Sequence, residues 1–125
     1  MTETKKIFTR TRITVPEGER ALVLVNGRFD AILRPGRHSI PSLLKSVKVE
    51  TFQLVNAAFA SPYEQALVAS RPDLVAEHFT DVRTSSDEIG VIYRDGKFHA
   101  VQKPDARQLF WTDAGPWKVE LIDVS

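Results

Sequence analysis

Two stretches of this chain carry the same punctuation. Residues 20–36 read RALVLVNGRFDAILRPG and residues 89–105 read IGVIYRDGKFHAVQKPD. Gly27 and Gly96 are 69 positions apart, and so are Pro35 and Pro104. One position later the pattern resumes, with Lys48-Val49-Glu50 answered by Lys118-Val119-Glu120. Self-similarity at a fixed spacing marks two copies of one supersecondary unit. What recurs is a packing pattern of strands and turns, which points away from a single catalytic centre.

Each copy reads as a β-hairpin followed by a proline turn and further strands. Asn26-Gly27 supplies the two positive-φ positions of a type I′ turn between Arg20–Val25 and Arg28–Leu33. A two-residue loop sets the register: Leu24 opposite Phe29, Leu22 opposite Ala31, and Ala21 opposite Ile32 on the other face. Asp95-Gly96 plays the same part in the second copy, with Tyr93 facing Phe98, Val91 facing Ala100, and His99 opposite Ile92. Cross-strand pairs of this kind contribute about 0.2–1 kcal/mol each. Proline turns follow at Arg34-Pro35-Gly36-Arg37 and Lys103-Pro104-Asp105-Ala106. Short strands are expected at His38–Ile40 and Arg107–Trp111, then longer ones over Val47–Val55 and Trp117–Val124, where Trp117, Val119 and Leu121 take the places of Val47, Val49 and Thr51.

The segment between the copies is helical in character. Ser61 reads as a cap, Pro62 as the first helical residue and Glu64 as the closing member of a capping box. Gln65–Ser70 continues that helix, which should break before Pro72. A second helix fits Pro72–Phe79, with Leu74, Val75, His78 and Phe79 on one face. Helices this short need tertiary packing to persist. The N-terminal residues are polar and read as loose, and Arg12–Val15 reads as a short edge strand. The expected fold is α+β, mainly antiparallel β, with two related units of about four to five strands joined by a short helical segment. The expected divisions are a flexible N-terminus over 1–11, a β-repeat over 12–57, a helical connector over 58–80 and a second β-repeat over 81–125.

Composition removes several functional classes. The chain has 125 residues, with 42% hydrophobic and 26% charged side chains and a net charge of +1. That balance offers no bulk attraction for nucleic acid or an anionic membrane. The absence of cysteine rules out disulfides, thiolate zinc sites and a cysteine nucleophile. No apolar stretch resembles a secretory leader, and the longest aliphatic run, Ala21–Val25, is far short of the roughly 20 residues a spanning helix needs. The abrupt end after a strand-like segment, at Asp123-Val124-Ser125, reads as a piece cut from a longer protein.

Candidate chemistry is sparse. His38, His78 and His99 lack metal-ligand spacing with one another or with acids, so no metal and no cofactor are expected; His78, at a helix end, suits the last carbonyls. Glu17/Glu19 and Asp87/Glu88 precede the two hairpins and read as solvated turn acids rather than an acid–base pair. Ser85-Ser86 lacks a nucleophile-elbow context, and no phosphate loop, dinucleotide fingerprint or H-E-x-x-H run occurs. Arg28, Arg34, Arg37, Arg94, Lys97, Lys103 and Arg107 decorate equivalent turns. They would serve a small-ligand or nucleic-acid binding module, but Asp30, Asp95 and Asp105 interleave with them, which favours a solvated rim. The second copy is richer in aromatics, with Phe110, Trp111 and Trp117 where the first has Ile40, Pro41 and Val47. Tryptophan anchors interfaces, so these three are the expected protein-contact surface, against a core role.

The segments VPEGERALVLVNGRFDAILRPGRHSI and SSDEIGVIYRDGKFHAVQKPDARQLFW, each followed by a strand containing Val-x-Val or Val-Glu-Leu, resemble the N-terminal region of bacterial stomatin-like proteins (slipins) of the SPFH/band 7 family. A glycine followed by Leu-x-Pro-Gly-x-His, characteristic of that opening, falls over Gly27 to His38, while the second copy has Pro104-Asp105 for the Pro-Gly and Arg107 at the histidine position. The resemblance covers roughly residues 12–55 and 80–124. It implies a non-enzymatic scaffold that self-associates and engages protein partners. It also implies a cytoplasmic location, with membrane attachment through parts of a full-length protein that this chain lacks. Neither a membrane hairpin nor the long coiled-coil helix of that family is present.

Overall fold

A computed structural model describes residues 1–125. Eleven strands and two short helices follow the order β1 (Glu3–Ile7), β2 (Arg10–Val15), β3 (Glu19–Val25), β4 (Arg28–Leu33), β5 (Gly36–Pro41), β6 (Val47–Gln53), α1 (Glu64–Ser70), α2 (Pro72–His78), β7 (Phe79–Thr84), β8 (Glu88–Arg94), β9 (Lys97–Gln102), β10 (Ala106–Trp111) and β11 (Trp117–Asp123). All strand pairings are antiparallel. The chain is thus α+β with a dominant antiparallel β component, and it divides into two compact units, Met1–Asn56 and Ala57–Ser125. No helix is long and apolar enough to cross a membrane.

The first unit holds two three-stranded sheets, ordered β1-β2-β5 and β4-β3-β6. Alternation along β2 turns Thr11, Ile13 and Val15 inward and leaves Arg10, Arg12 and Thr14 exposed. Ile13, Val15, Ala21 and Val23 form the core between the sheets, with Val25, Leu33, Ile40, Val47 and Val49 packed around them. Two expectations are corrected here. The N-terminus is not loose, because Glu3–Ile7 pairs along β2. Buried Glu19 fastens its start: one carboxylate oxygen accepts from the Thr2 backbone N–H at 2.8 Å and from Thr2 Oγ1 at 2.9 Å, and the other lies 3.3 Å from the Met1 ammonium. Burial pushes the Glu19 carboxyl up, but hydrogen bonds from Thr2, Gln53 and the terminal ammonium outweigh it and hold the group below the usual range. β2, in turn, is a central strand rather than an edge. Polar Thr-Lys-Lys text gives β1 no apolar alternation, so its pairing leaves little trace in the sequence.

The second unit places the two-stranded sheet β10-β7 between the helices and the three-stranded sheet β11-β8-β9. Phe79 and Trp111 face buried Phe59 on one side, while Phe110 meets Trp117 and His99 on the other. Gln102 Nε2 ties the layers by donating to the Val82 carbonyl at 3.0 Å. The outer edge of β10 is covered by residues 57–59: Phe59 N–H donates to the Leu109 carbonyl and Trp111 N–H to the Ala57 carbonyl. The helical segment therefore clusters with the second unit, and β7 begins at Phe79, where the sequence suggested helix. Helix α1 starts at Glu64 with no side-chain cap. Ser61 Oγ instead accepts from the Tyr63 N–H at 3.1 Å, so the expected capping box is a preceding turn.

Strand bounds correspond closely between the units. β2 and β7, β3 and β8, and β4 and β9 begin and end 69 positions apart; for β5 and β10, and for β6 and β11, the spacing is 70. The hairpin registers agree in detail. Leu24 faces Phe29 and Tyr93 faces Phe98, as the turns dictate, but a bulge follows in each. The ladder passes over Asp30 in β4 and His99 in β9, so Leu22 faces Ile32, Ala21 faces Leu33, Val91 faces Val101 and Ile92 faces Ala100. A bulge moves the register by one without changing the turn, which is why the register inferred from loop length fails beyond the first two pairs.

Candidate interaction surface

The turn residues sit as their chemistry requires. Asn26 and Gly27 have φ of 51° and 77°, and Asp95 and Gly96 have 51° and 76°, the signature of type I′ hairpins. Each turn is anchored from the segment before the last strand: Asn26 N–H donates to the Ser46 carbonyl and Asp95 N–H to the Pro116 carbonyl, both at 2.8 Å. After Pro35 and Pro104, the positive-φ position falls on Gly36 (136°) and Asp105 (53°).

The three aromatics expected as a contact surface are placed otherwise. Trp111 is 1% exposed and Phe110 is 4% exposed, so both belong to the core of the second unit. The Trp111 ring lies 4.4 Å from Phe79 and 5.5 Å from Phe59. Trp117 is half-buried, 4.7 Å from Phe110 and 5.3 Å from His99, and its Nε1 donates to the Trp111 carbonyl at 2.8 Å. Arg94 lies over its ring at 5.8 Å. The reason is that β10 is covered on both faces, so consecutive residues Leu109, Phe110 and Trp111 are all buried.

One group of exposed apolar side chains lies on the outward face of β11-β8-β9. Ile89, Val91 and Tyr93 point there from β8; their neighbours on β9 are Val101 opposite Val91 and Phe98 opposite Tyr93, and on β11 Ile122 opposite Ile89, with Glu120 and Lys118 opposite Val91 and Tyr93. Phe98 is 64% exposed, Val101 56% and Ile122 43%. Contiguous exposed apolar area on a sheet face marks a binding surface more often than a scattered residue does. Period-two alternation in neighbouring strands is the sequence signal for it.

A charged cluster lies on the helix-facing side of β7 and β10. Arg107 donates to both Asp81 carboxylate oxygens, from Nε at 2.9 Å and Nη2 at 2.7 Å, and Arg83 adds a bond from Nε at 3.0 Å. Burial pushes the Asp81 carboxyl up, but these guanidinium bonds outweigh it and hold it below the usual range. Glu64 moves the other way: burial raises its carboxyl, Arg107 opposes the rise and Asp81 adds to it. Sequence spacing could not reveal this cluster, because Asp81 and Arg107 meet only through the β7–β10 pairing. Arg94 also has a structural partner, donating to the Ala114 carbonyl at 2.7 Å.

The remaining candidates stay apart. His38 Nε2 is bonded to the Arg34 carbonyl at 2.8 Å, and buried His78 lies 3.0 Å from Glu77. His99 is the bulge residue beside the aromatics rather than the neighbour of Ile92. Ser85 is a turn residue, its N–H donating to Glu88 at 3.0 Å and its carbonyl accepting from the Asp105 N–H. No three His, Asp or Glu side chains converge to hold a metal. No family model, curated protein or solved structure matches the chain.

Proposed function

We propose that this chain is a non-catalytic protein-interaction and oligomerisation module of a stomatin-like (SPFH/band 7) membrane-associated scaffold, built from a duplicated β-unit. The duplication reading is supported by the constant offsets in sequence and strand bounds and by the matching bulges at Asp30 and His99. The family reading rests on the hairpin and Pro-Gly text from Val15 to Ile40. Partners are proteins, foremost further copies of the same chain. Membrane attachment belongs to other parts of a longer protein.

The observation that carries the interaction reading is the outward face of β11-β8-β9, where Phe98, Val101 and Ile122 stand exposed beside Val91 and Tyr93. Apolar anchors at the centre of a patch dominate the energetics of most protein interfaces. The test is a double variant, Phe98→Asp with Val101→Asp, compared with the unmodified chain by sedimentation equilibrium. Both side chains are exposed, so circular dichroism should be unchanged. Self-association should weaken at least about tenfold. Equal association constants for the two proteins would overturn the assignment of this face.

A further inference from the structure

The two units differ at one strand edge. In the first, β2 is paired on both sides, by β1 and by β5. In the second, β7 occupies the position of β2 but is hydrogen-bonded to β10 alone. The edge where β1 would lie borders a groove of about 330 Å³, lined by Thr80, Asp81, Val82 and Arg83 and floored by Val119 and Leu121 of β11. An open strand edge beside an apolar floor is a template for strand addition.

We infer that this edge receives the N-terminal strand β1 of a second copy of the chain. The inference rests on the self-association reading above and adds a second contact to it, at a strand edge separate from the outward face of β11-β8-β9. In its own unit, β1 places Glu3 opposite Thr14, Lys5 opposite Arg12 and Ile7 opposite Arg10. β7 lies 69 positions after β2. The same antiparallel register on β7 sets Glu3 opposite Arg83, Lys5 opposite Asp81 and Ile7 opposite Phe79. Two of the three pairs improve: both become opposite-charge pairs, one of them replacing the like-charge pair Lys5–Arg12. The third sets Ile7 at the end of the edge, beside Phe79, which is buried against Phe59 and Trp111 and whose N–H already donates to the Val75 carbonyl. Like charges directly opposite on a sheet destabilise, and opposite charges stabilise. β7 holds no proline, and beyond Phe79 its outward Asp81 and Arg83 alternate with inward Val82 and Thr84. Because the donor strand lies in the first unit and the acceptor edge in the second, the contact is heterologous, and it propagates into a ring or a filament.

The absence of native cysteine gives a clean test in the full chain. Chains carrying Glu3→Cys and chains carrying Arg83→Cys are kept reduced, mixed and then oxidised. A mixed disulfide should form and increase with protein concentration. In parallel, Lys5→Glu should face Arg12 favourably at home but meet Asp81 across the contact. It should weaken self-association about tenfold while leaving the melting temperature equal or higher. Assembly without the mixed disulfide, and indifferent to Lys5→Glu, would overturn the strand addition while leaving self-association standing. A chain that stays monomeric and yields no mixed disulfide would overturn both.

Discussion

Arg107 grips Asp81 with two parallel hydrogen bonds, 2.9 Å from Nε and 2.7 Å from Nη2, across the only pairing that β7 makes. A fork-to-carboxylate bond of this kind is stronger and more directional than a single charged contact. It links the inner part of the β7–β10 sheet to the edge where Asp81 faces the groove.

The pH dependence of that link has a definite sign. The Asp81 carboxyl is held below its ordinary value of 3.8. Its contribution is therefore fully present above that value and is lost as pH falls through the depressed folded value. Asp81→Asn should lower stability at neutral pH by roughly 1.5–3 kcal/mol, the range for hydrogen bonds to a charged group. The gap between the two proteins in chemical denaturation should close below about pH 4. Asp81→Asn also removes the charge that adds to the rise of the Glu64 carboxyl, so Glu64 moves back toward its ordinary value in the variant. A gap that persists unchanged into strong acid would assign the effect to packing.

Trp111 gives the second prediction. Its ring is buried against Phe59 and Phe79, and its N–H and carbonyl bond to Ala57 and Trp117. Trp111→Ala should destabilise the second unit by about 3–5 kcal/mol, the usual cost of deleting a large buried aromatic. Loss of near-ultraviolet dichroism and a lowered denaturation midpoint would report it. A change within 0.5 kcal/mol, the range of ordinary surface substitutions, would mean that Trp111 is solvent-facing after all.

The hairpin glycines give the third. A Cβ built at Gly27 or at Gly96 meets nothing within 4 Å, so the cost of alanine there comes from the backbone alone, at φ of 77° and 76°. Gly27→Ala and Gly96→Ala should each cost about 1 kcal/mol, and by similar amounts, since the left-handed region penalises a Cβ by about 1–2 kcal/mol. Widely different costs would show that the two turns are not equivalent in energy.

How much of this was legible in the sequence follows from the range of each interaction. The hairpins were, because Asn26-Gly27 and Asp95-Gly96 set turn type and the nearest pair locally. The positions of β3 to β6 and of β8 to β11 were, because their offsets recur, whereas β7 drew no strand expectation although β2, 69 positions earlier, did. The bulges at Asp30 and His99 were not, since no residue at the turn encodes them. The burial of Phe110 and Trp111 was also hidden. Alternation predicts that one of two neighbours on a strand faces solvent, and that expectation fails where layers cover both faces of β10. The N-terminal strand was missed because its polar side chains give no periodic signal, and backbone pairing plus the buried carboxylate of Glu19 hold it. The same blandness concealed how well Glu3 and Lys5 suit the edge of β7.

The most direct measurement is sedimentation equilibrium of the unmodified chain across a wide range of protein concentration. A self-associating module gives a weight-average mass that climbs above the 14.1 kDa of one chain as concentration rises. A mass that remains at 14.1 kDa throughout would contradict the assignment.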